Sequence, residues 1–178
     1  MSVTAGLDAT EAPIYIDGAL YSAPEGTTKP TSESAVIGAG FVGHGLWSSA
    51  GLTESSSRSV NKIRAFQLNQ IVASVTTEGN AVVKLVLLQS NADNASLYYL
   101  NGVDTTDGSV DWNPGAQAPK REFVIDKLNG AEVERIVGTG QVTNMDDRVT
   151  TYGEITGYGV EITFVGVPKI YNSEWVVP

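Results

Sequence analysis

The chain has 178 residues and no cysteine, and its eleven Lys and Arg stand against twenty Asp and Glu, a formal net charge of −9 at pH 7. The acid excess argues against wrapping a phosphate backbone, which needs clustered cations. The missing cysteines exclude disulfides, thiolate metal sites and a Cys nucleophile. At this length, with 42% hydrophobic residues, the sequence predicts one domain, residues 1–178, with a real core. Abundant Gly and recurrent Ser, Thr, Val and Asn favour strands and turns over helices. The first residues lack a signal peptide's basic and apolar regions, and no apolar run approaches the roughly 20 residues that span a bilayer. The expectation is a chain made in a cytoplasm that does not insert into a membrane.

In chain order, residues 1–12 are small and polar and predict a flexible N-terminal arm. Ile14, Tyr15 and Ile16 meet Asp17-Gly18, a turn signal, and Ala19, Leu20 and Tyr21 follow, which suggests a hairpin or bulged strand. Residues 24–34 read as a loop, and the glycine-rich apolar run 36–47 as a packed, bent strand. Residues 48–60 are Ser-rich, with Glu54 and Arg58 as their only charges, and predict a long polar loop.

The clearest pattern comes next. Ile63 to Phe66 leads to Ile71, Ala73 and Val75, which alternate with more polar neighbours as a half-buried strand should. A turn is expected at Glu78-Gly79-Asn80, then a return strand over 81–88. Its second face, Val82, Lys84, Val86 and Leu88, is apolar apart from Lys84 and so needs cover from a helix or a neighbouring subunit. Residues 91–100 predict one helix, capped by Asn91 or Asp93 and stopped by Asn101-Gly102. Strands are expected at 121–128, 133–137 and 152–165, the last with Val160, Ile162 and Phe164 at period two. Residues 168–178 read as a C-terminal arm.

Three motifs invite chemistry. Gly38-Ala39-Gly40-Phe41-Val42-Gly43 fits the dinucleotide fingerprint, but poor helix material follows it, and no acid lies about 20 residues on to hold a ribose. His44, the single histidine, has no acid beside it in sequence and reads as a loop residue. Asp104, Asp107 and Asp111 offer hard oxygen ligands for calcium, but their spacing is not that of an EF-hand and suits an Asx-rich turn better. Neither a catalytic constellation nor a cofactor is expected, so the chain reads as no enzyme.

With the strands laid out, one stretch resembles the major tail tube proteins of long-tailed, non-contractile bacteriophages. Gly51-Leu52-Thr53-Glu54-Ser55 followed by Ser56, Ser57 and Arg58 is similar to that family's loop. Ile63-Arg64-Ala65-Phe66-Gln67 is similar to its next strand, although Phe66 stands where tryptophan is common. Val83 to Gln89, Asn91-Ala92 and Leu97-Tyr98-Tyr99 resemble its strand and helix, with Gln89 in place of the usual glutamate. Ala19 to Gly26 resembles the family's opening. The likeness covers most of residues 13–100 and fades after.

The resemblance implies a mainly β, tail-tube-like sandwich or half-barrel with one short helix, arms at both ends and a long inter-ring loop. It implies homo-hexameric rings stacked into a virion tail tube, assembled in the host cytoplasm, through which DNA passes without specific binding. A tape measure protein and a tail terminator or distal tail proteins would be partners. Val82, Lys84, Val86 and Leu88 are then candidate inter-subunit residues. Ser48, Gly51, Thr53, Glu54, Ser55 and Arg58 are candidate inter-ring residues. The alternatives are a tube or connector protein of a related virion or injection machine, and a β-sandwich carbohydrate-binding module. The aromatics such a module needs, Trp47, Trp112 and Trp175, fall in predicted loops or arms.

Overall fold

The computed structural model describes residues 13–130 and 132–175. The N-terminal arm expected at 1–12 lies outside them. In chain order the elements are β1 (Asp17–Pro24), β2 (Val42–Gly43), β3 (Trp47–Arg64), β4 (Ile71–Leu87), α1 (Ala92–Tyr99), β5 (Arg121–Asn129), β6 (Glu132–Met145), β7 (Tyr158–Phe164) and β8 (Lys169–Asn172). They form one sheet in the order β2-β1-β5-β6-β7-β4-β3, and β8 also pairs with β6. Every pairing is antiparallel. One edge of β6 is shared end to end: β8 takes Glu134 to Val137 and β7 takes Gly140 to Met145.

The sheet is rolled. Between β1 and β3 lie five strand-to-strand steps, roughly 24 Å in a flat sheet. Yet a Cβ built on Gly18 of β1 would lie 2.6 Å from the Trp47 ring of β3. Lys127 of β5 likewise pairs with Glu54 of β3. β1 and β5 therefore meet β3 along a seam, which gives a rolled sheet of the half-barrel kind that the resemblance implies. Inside the roll, Leu20, Val83, Leu85, Leu87, Phe123, Ile125, Ile136, Val142, Val160, Ile162 and Phe164 form the core. β4, β5 and β7 contribute alternate residues to it, as strands with a face on the core must.

The helix closes one side of this core with Leu97 and Tyr98. Asn91 caps it, its side chain accepting the Asn94 N–H at 2.8 Å. The helix ends at Leu100, which takes the left-handed conformation at φ 62°, one residue before the Asn101-Gly102 stop that the sequence offers. The Tyr98 hydroxyl donates to the Asp146 carbonyl at 2.7 Å, tying the helix to the end of β6. A bidentate pair fastens the loop after β1. Arg135 donates to Asp126 at 2.6 and 2.8 Å, and its remaining nitrogen reaches the carbonyls of Ser32 and Ala35.

Several expectations need correction. Residues 48–60 are not a loop but part of β3, which pairs with β4 at Trp47 and, past a bulge, from Leu52 to Arg64. Their Ser and Thr side chains stand on an exposed ladder, where polarity is no bar to strand pairing. Glu78-Gly79-Asn80 is not a turn, since Gly79 sits in the ladder opposite Arg58. The true turn lies at 65–70, where the Ala65 N–H donates to the Gln70 carbonyl at 2.8 Å and Leu68 and Asn69 hold φ of 58° and 52°. That segment carries no glycine or proline, so turn chemistry pointed to the wrong place. Asp17-Gly18 is not a hairpin turn either, for it is extended and paired with Leu128 and Lys127. Gly18 is required there because the Trp47 ring leaves no room for a Cβ. Of the segment 36–47 only Val42–Gly43 pairs as a separate short strand before β3 begins, and Val36 is exposed. β6 runs beyond the expected 133–137, β7 begins at Tyr158 rather than 152, and the expected C-terminal arm contains β8.

Candidate assembly surface

β4 pairs with β7 only through Val82 to Leu87. Past Ala81 the β3–β4 hairpin has no further strand beside it and projects as a two-stranded arm. From Ser56↔Ala81 to Arg64↔Ile71 the arm extends about 30 Å at the usual rise per residue. All but Ala65 of residues 53–80 are exposed. A lone two-stranded hairpin is marginal in water.

The arm is also amphipathic. Pairing puts Ile63 opposite Ala73 and Asn61 opposite Val75, so Ile63, Ile71, Ala73 and Val75 share one face. This is the alternation that predicts a half-buried strand, and the subunit does not bury it. At the tip, Phe66 and Leu68 are 100% and 95% exposed. The other face carries Lys62, Ser74 and Thr76 together with Val60 and Val72, and Arg64 falls opposite Ile71 after a register shift. Residues 58–77 hold Arg58, Lys62 and Arg64, three of the eleven cations and none of the twenty carboxylates, which leaves eight against twenty elsewhere. The subunit is thus an acidic body with a basic, apolar-tipped arm.

The sequence-predicted residues divide between two regions. Val83, Leu85 and Leu87 of β4 point into the core, and Val82, Lys84, Val86 and Leu88 lie half-buried on the opposite side. On that outer face Lys84 pairs with Asp146 at 2.7 Å, and this hydrogen bond, with the charge behind it, raises the lysine pKa. Thr53 and Ser55 sit beside Lys84 and Val82 in the ladder, so they belong to the same sheet. Glu54 is spent on Lys127. Arg58, on the arm, donates across the strands to the Thr76 hydroxyl. Ser48 and Gly51 lie in an irregular bulge where six residues of β3, from Trp47 to Leu52, stand against three of β4, from Leu87 to Leu85.

The remaining motifs resolve structurally. No helix opens at Gly43, which pairs with Tyr21 in β2, so the glycine fingerprint lacks the N-terminal amides that would hold a pyrophosphate. Asp104 and Asp107 accept the backbone N–H of Thr106 and Ser109 at 2.8 and 2.9 Å, the Asx turns expected, and these bonds hold both carboxyls below their ordinary pKa. Among the described residues no group of three or more His, Cys, Asp or Glu is placed to hold a metal.

His44 lies in the loop between β2 and β3 as expected, but it is buried there with Ser22 and Asn94 at 1%, 2% and 0% exposure. The Asn94 amide donates to the carbonyls of His44 and Gln89, so its oxygen accepts from His44 Nδ1–H at 2.7 Å. Nε2 is then the acceptor for the Ser22 hydroxyl at 2.8 Å. Burial lowers the His44 pKa against the smaller opposing pulls of Asn94 and Asp93. The contact order is that of a Ser-His-Asn triad, but it is sealed from substrate and ties β1, the chain before β3 and α1 together. Sequence reasoning missed this network because its members are 22 and 50 residues apart.

The class is now plain: a rolled antiparallel β protein with a projecting hairpin that carries exposed apolar side chains. A model of the phage tail tube proteins matches residues 5–178. The chain belongs to the phage tail tube protein family, and it is a structural protein of a virion tail, not an enzyme. No curated protein sequence is detectably similar. Among solved structures, a chain in the virion of a native gene transfer agent particle is 11% identical, with a TM-score of 0.45 over 75% of this chain and 91% of that chain. A chain in the tail of an empty gene transfer agent particle, computed with helical refinement and C6 symmetry, is 13% identical, with a TM-score of 0.44 over 73% and 85%.

Proposed function

We propose that this protein assembles into hexameric rings that stack as the tail tube of a non-contractile phage-type tail, the conduit for DNA during ejection. The observation that carries the reading is the β3–β4 arm. It holds an amphipathic strand pair and two fully exposed apolar tip residues away from the body. Monomers seldom tolerate such surface, and a neighbouring copy is its natural cover. In this reading the arm reaches an adjacent ring. The outer face of β4, with Val82, Lys84, Val86 and Leu88, packs face-on against the neighbour within a ring. An acidic body repels phosphate, so genome slides through the channel without binding. A tape measure protein and tail-end proteins complete the partner set that the family implies.

Sedimentation velocity over a concentration series tests the reading. The expected result is cooperative passage from the 18.8 kDa chain to sixfold and larger species. Val86→Asp, which sets an unpaired charge in the proposed ring contact, should remain a folded monomer at every concentration. A wild-type chain that stays monomeric throughout contradicts the function. Normal assembly by Val86→Asp contradicts the assignment of the β4 face.

A further inference from the structure

At the seam of the rolled sheet, the β3 bulge opens a cleft of about 420 Å³ between Tyr15, Ile16, Leu46, Trp47, Leu52 and Lys127. That volume falls in the usual range of about 300–1,000 Å³ for a ligand pocket. Its lining joins the apolar Ile16, Leu46 and Leu52 and the ring of Trp47 to the polar Tyr15, Asp17, Ser48 and Lys127. Leu46 and Ile16 are largely exposed inside it. The Trp47 Nε1–H is buried and has no hydrogen-bond acceptor among the described residues. Such a donor costs about 1–3 kcal/mol unless a partner is supplied.

We propose that this cleft is the receptor for the β3–β4 tip, Phe66 and Leu68, of a second copy of the chain. The inference rests on the tube reading above and names both sides of its arm contact. Three observations select this occupant. First, the tip bears fully exposed large apolar side chains, and the cleft is an exposed apolar concavity of matching character. Second, the charges are complementary. The arm brings Arg58, Lys62 and Arg64 with no carboxylate, whereas the seam sets Asp17, Glu54 and Glu134 against the single cation Lys127, which already pairs with both glutamates. Third, the contact is between molecules by geometry. The cleft lies at the base of β3, before Ser56, and the arm carries the tip about 30 Å further on.

The tip backbone suits this role. Leu68 and Asn69 both sit in the left-handed region, a conformation that costs a leucine roughly 1–2 kcal/mol. Strain of this kind persists where a functional surface is being shaped. Here it turns Phe66 and Leu68 outward at the end of the arm. Docking covers both side chains.

The absence of cysteine makes the test clean. Leu46→Cys subunits and Leu68→Cys subunits, each a minor fraction in excess wild-type protein, are co-assembled and treated with a short bismaleimide. Dilution keeps assembly independent of the variants. The expected result is a covalent dimer at least tenfold more abundant than with either variant alone. Tubes that contain both variants and yield no such dimer overturn the proposal. So does a dimer formed equally well by Leu68→Cys alone, which would mark a tip-to-tip contact. A Leu7→Cys subunit that links to Leu46→Cys in place of the tip overturns it as well, since the cleft would then belong to residues near the N-terminus. If wild-type protein forms no tubes at all, the functional reading fails and the proposal falls with it.

Discussion

Replacing residues 61–75 with Asn-Gly removes the outer part of the arm with its tip and leaves Val60 and Thr76, already paired, joined by a two-residue hairpin turn. None of the deleted side chains is buried, so the fold loses no core contact. Exposed cross-strand pairs contribute about 0.2–1 kcal/mol each, and the shorter connection offsets part of that. Monomer stability should therefore change by no more than about 1–2 kcal/mol. Assembly is another matter. Fully burying a side chain such as Phe66 or Leu68 yields about 1.5–3 kcal/mol, so the tip alone supplies roughly 3–6 kcal/mol per arm. At about 1.4 kcal/mol per tenfold, its loss raises the assembly threshold by roughly two to four powers of ten. Urea denaturation measures the first quantity, and sedimentation against concentration measures the second. A truncated chain that assembles at the wild-type threshold refutes the argument, because the arm's exposed apolar surface would then have no partner in the tube.

Two further outcomes test the body of the protein. Arg135→Met leaves the Asp126 charge buried and strips the Ser32 and Ala35 carbonyls of their donor, so it should cost about 3–5 kcal/mol in urea denaturation, and adding Asp126→Leu should recover most of the loss. The folded pKa of His44 lies below its ordinary value of 6.5 because burial penalises the imidazolium, so below about pH 6.5 the unfolded chain binds the extra proton first. Stability should be full above that pH and decline as pH falls toward the folded value, at up to about 1.4 kcal/mol per pH unit. Melting temperatures that stay flat from about pH 7.5 to 5.5 would contradict the neutral, sealed imidazole.

Much of the fold was legible because its signals are local. Val160, Ile162 and Phe164 alternate and are buried as the pattern requires. Asn91 caps the single α-helix among the described residues. The doubly apolar strand ending at Leu88 was legible too, for Val83, Leu85 and Leu87 face the core while Val82, Lys84, Val86 and Leu88 do not. What misled was turn chemistry. Asp17-Gly18 and Glu78-Gly79-Asn80 carry turn residues, yet each is held straight by a partner strand, with Gly18 kept small by a tryptophan arriving from the far end of the sheet. The arm was half legible. Ile71, Ala73 and Val75 announce a buried face, but sequence does not say whose surface buries it. The seam cleft was not legible at all, since it exists only because the sheet rolls until β1 and β5 meet β3.

Electron cryomicroscopy of the concentrated wild-type protein tests the central claim most directly. The expected image is a hollow tube of stacked sixfold rings, each hairpin arm crossing to a subunit of the adjacent ring. Isolated monomers at the same concentration, or rings whose arms stand free in solvent, would contradict it.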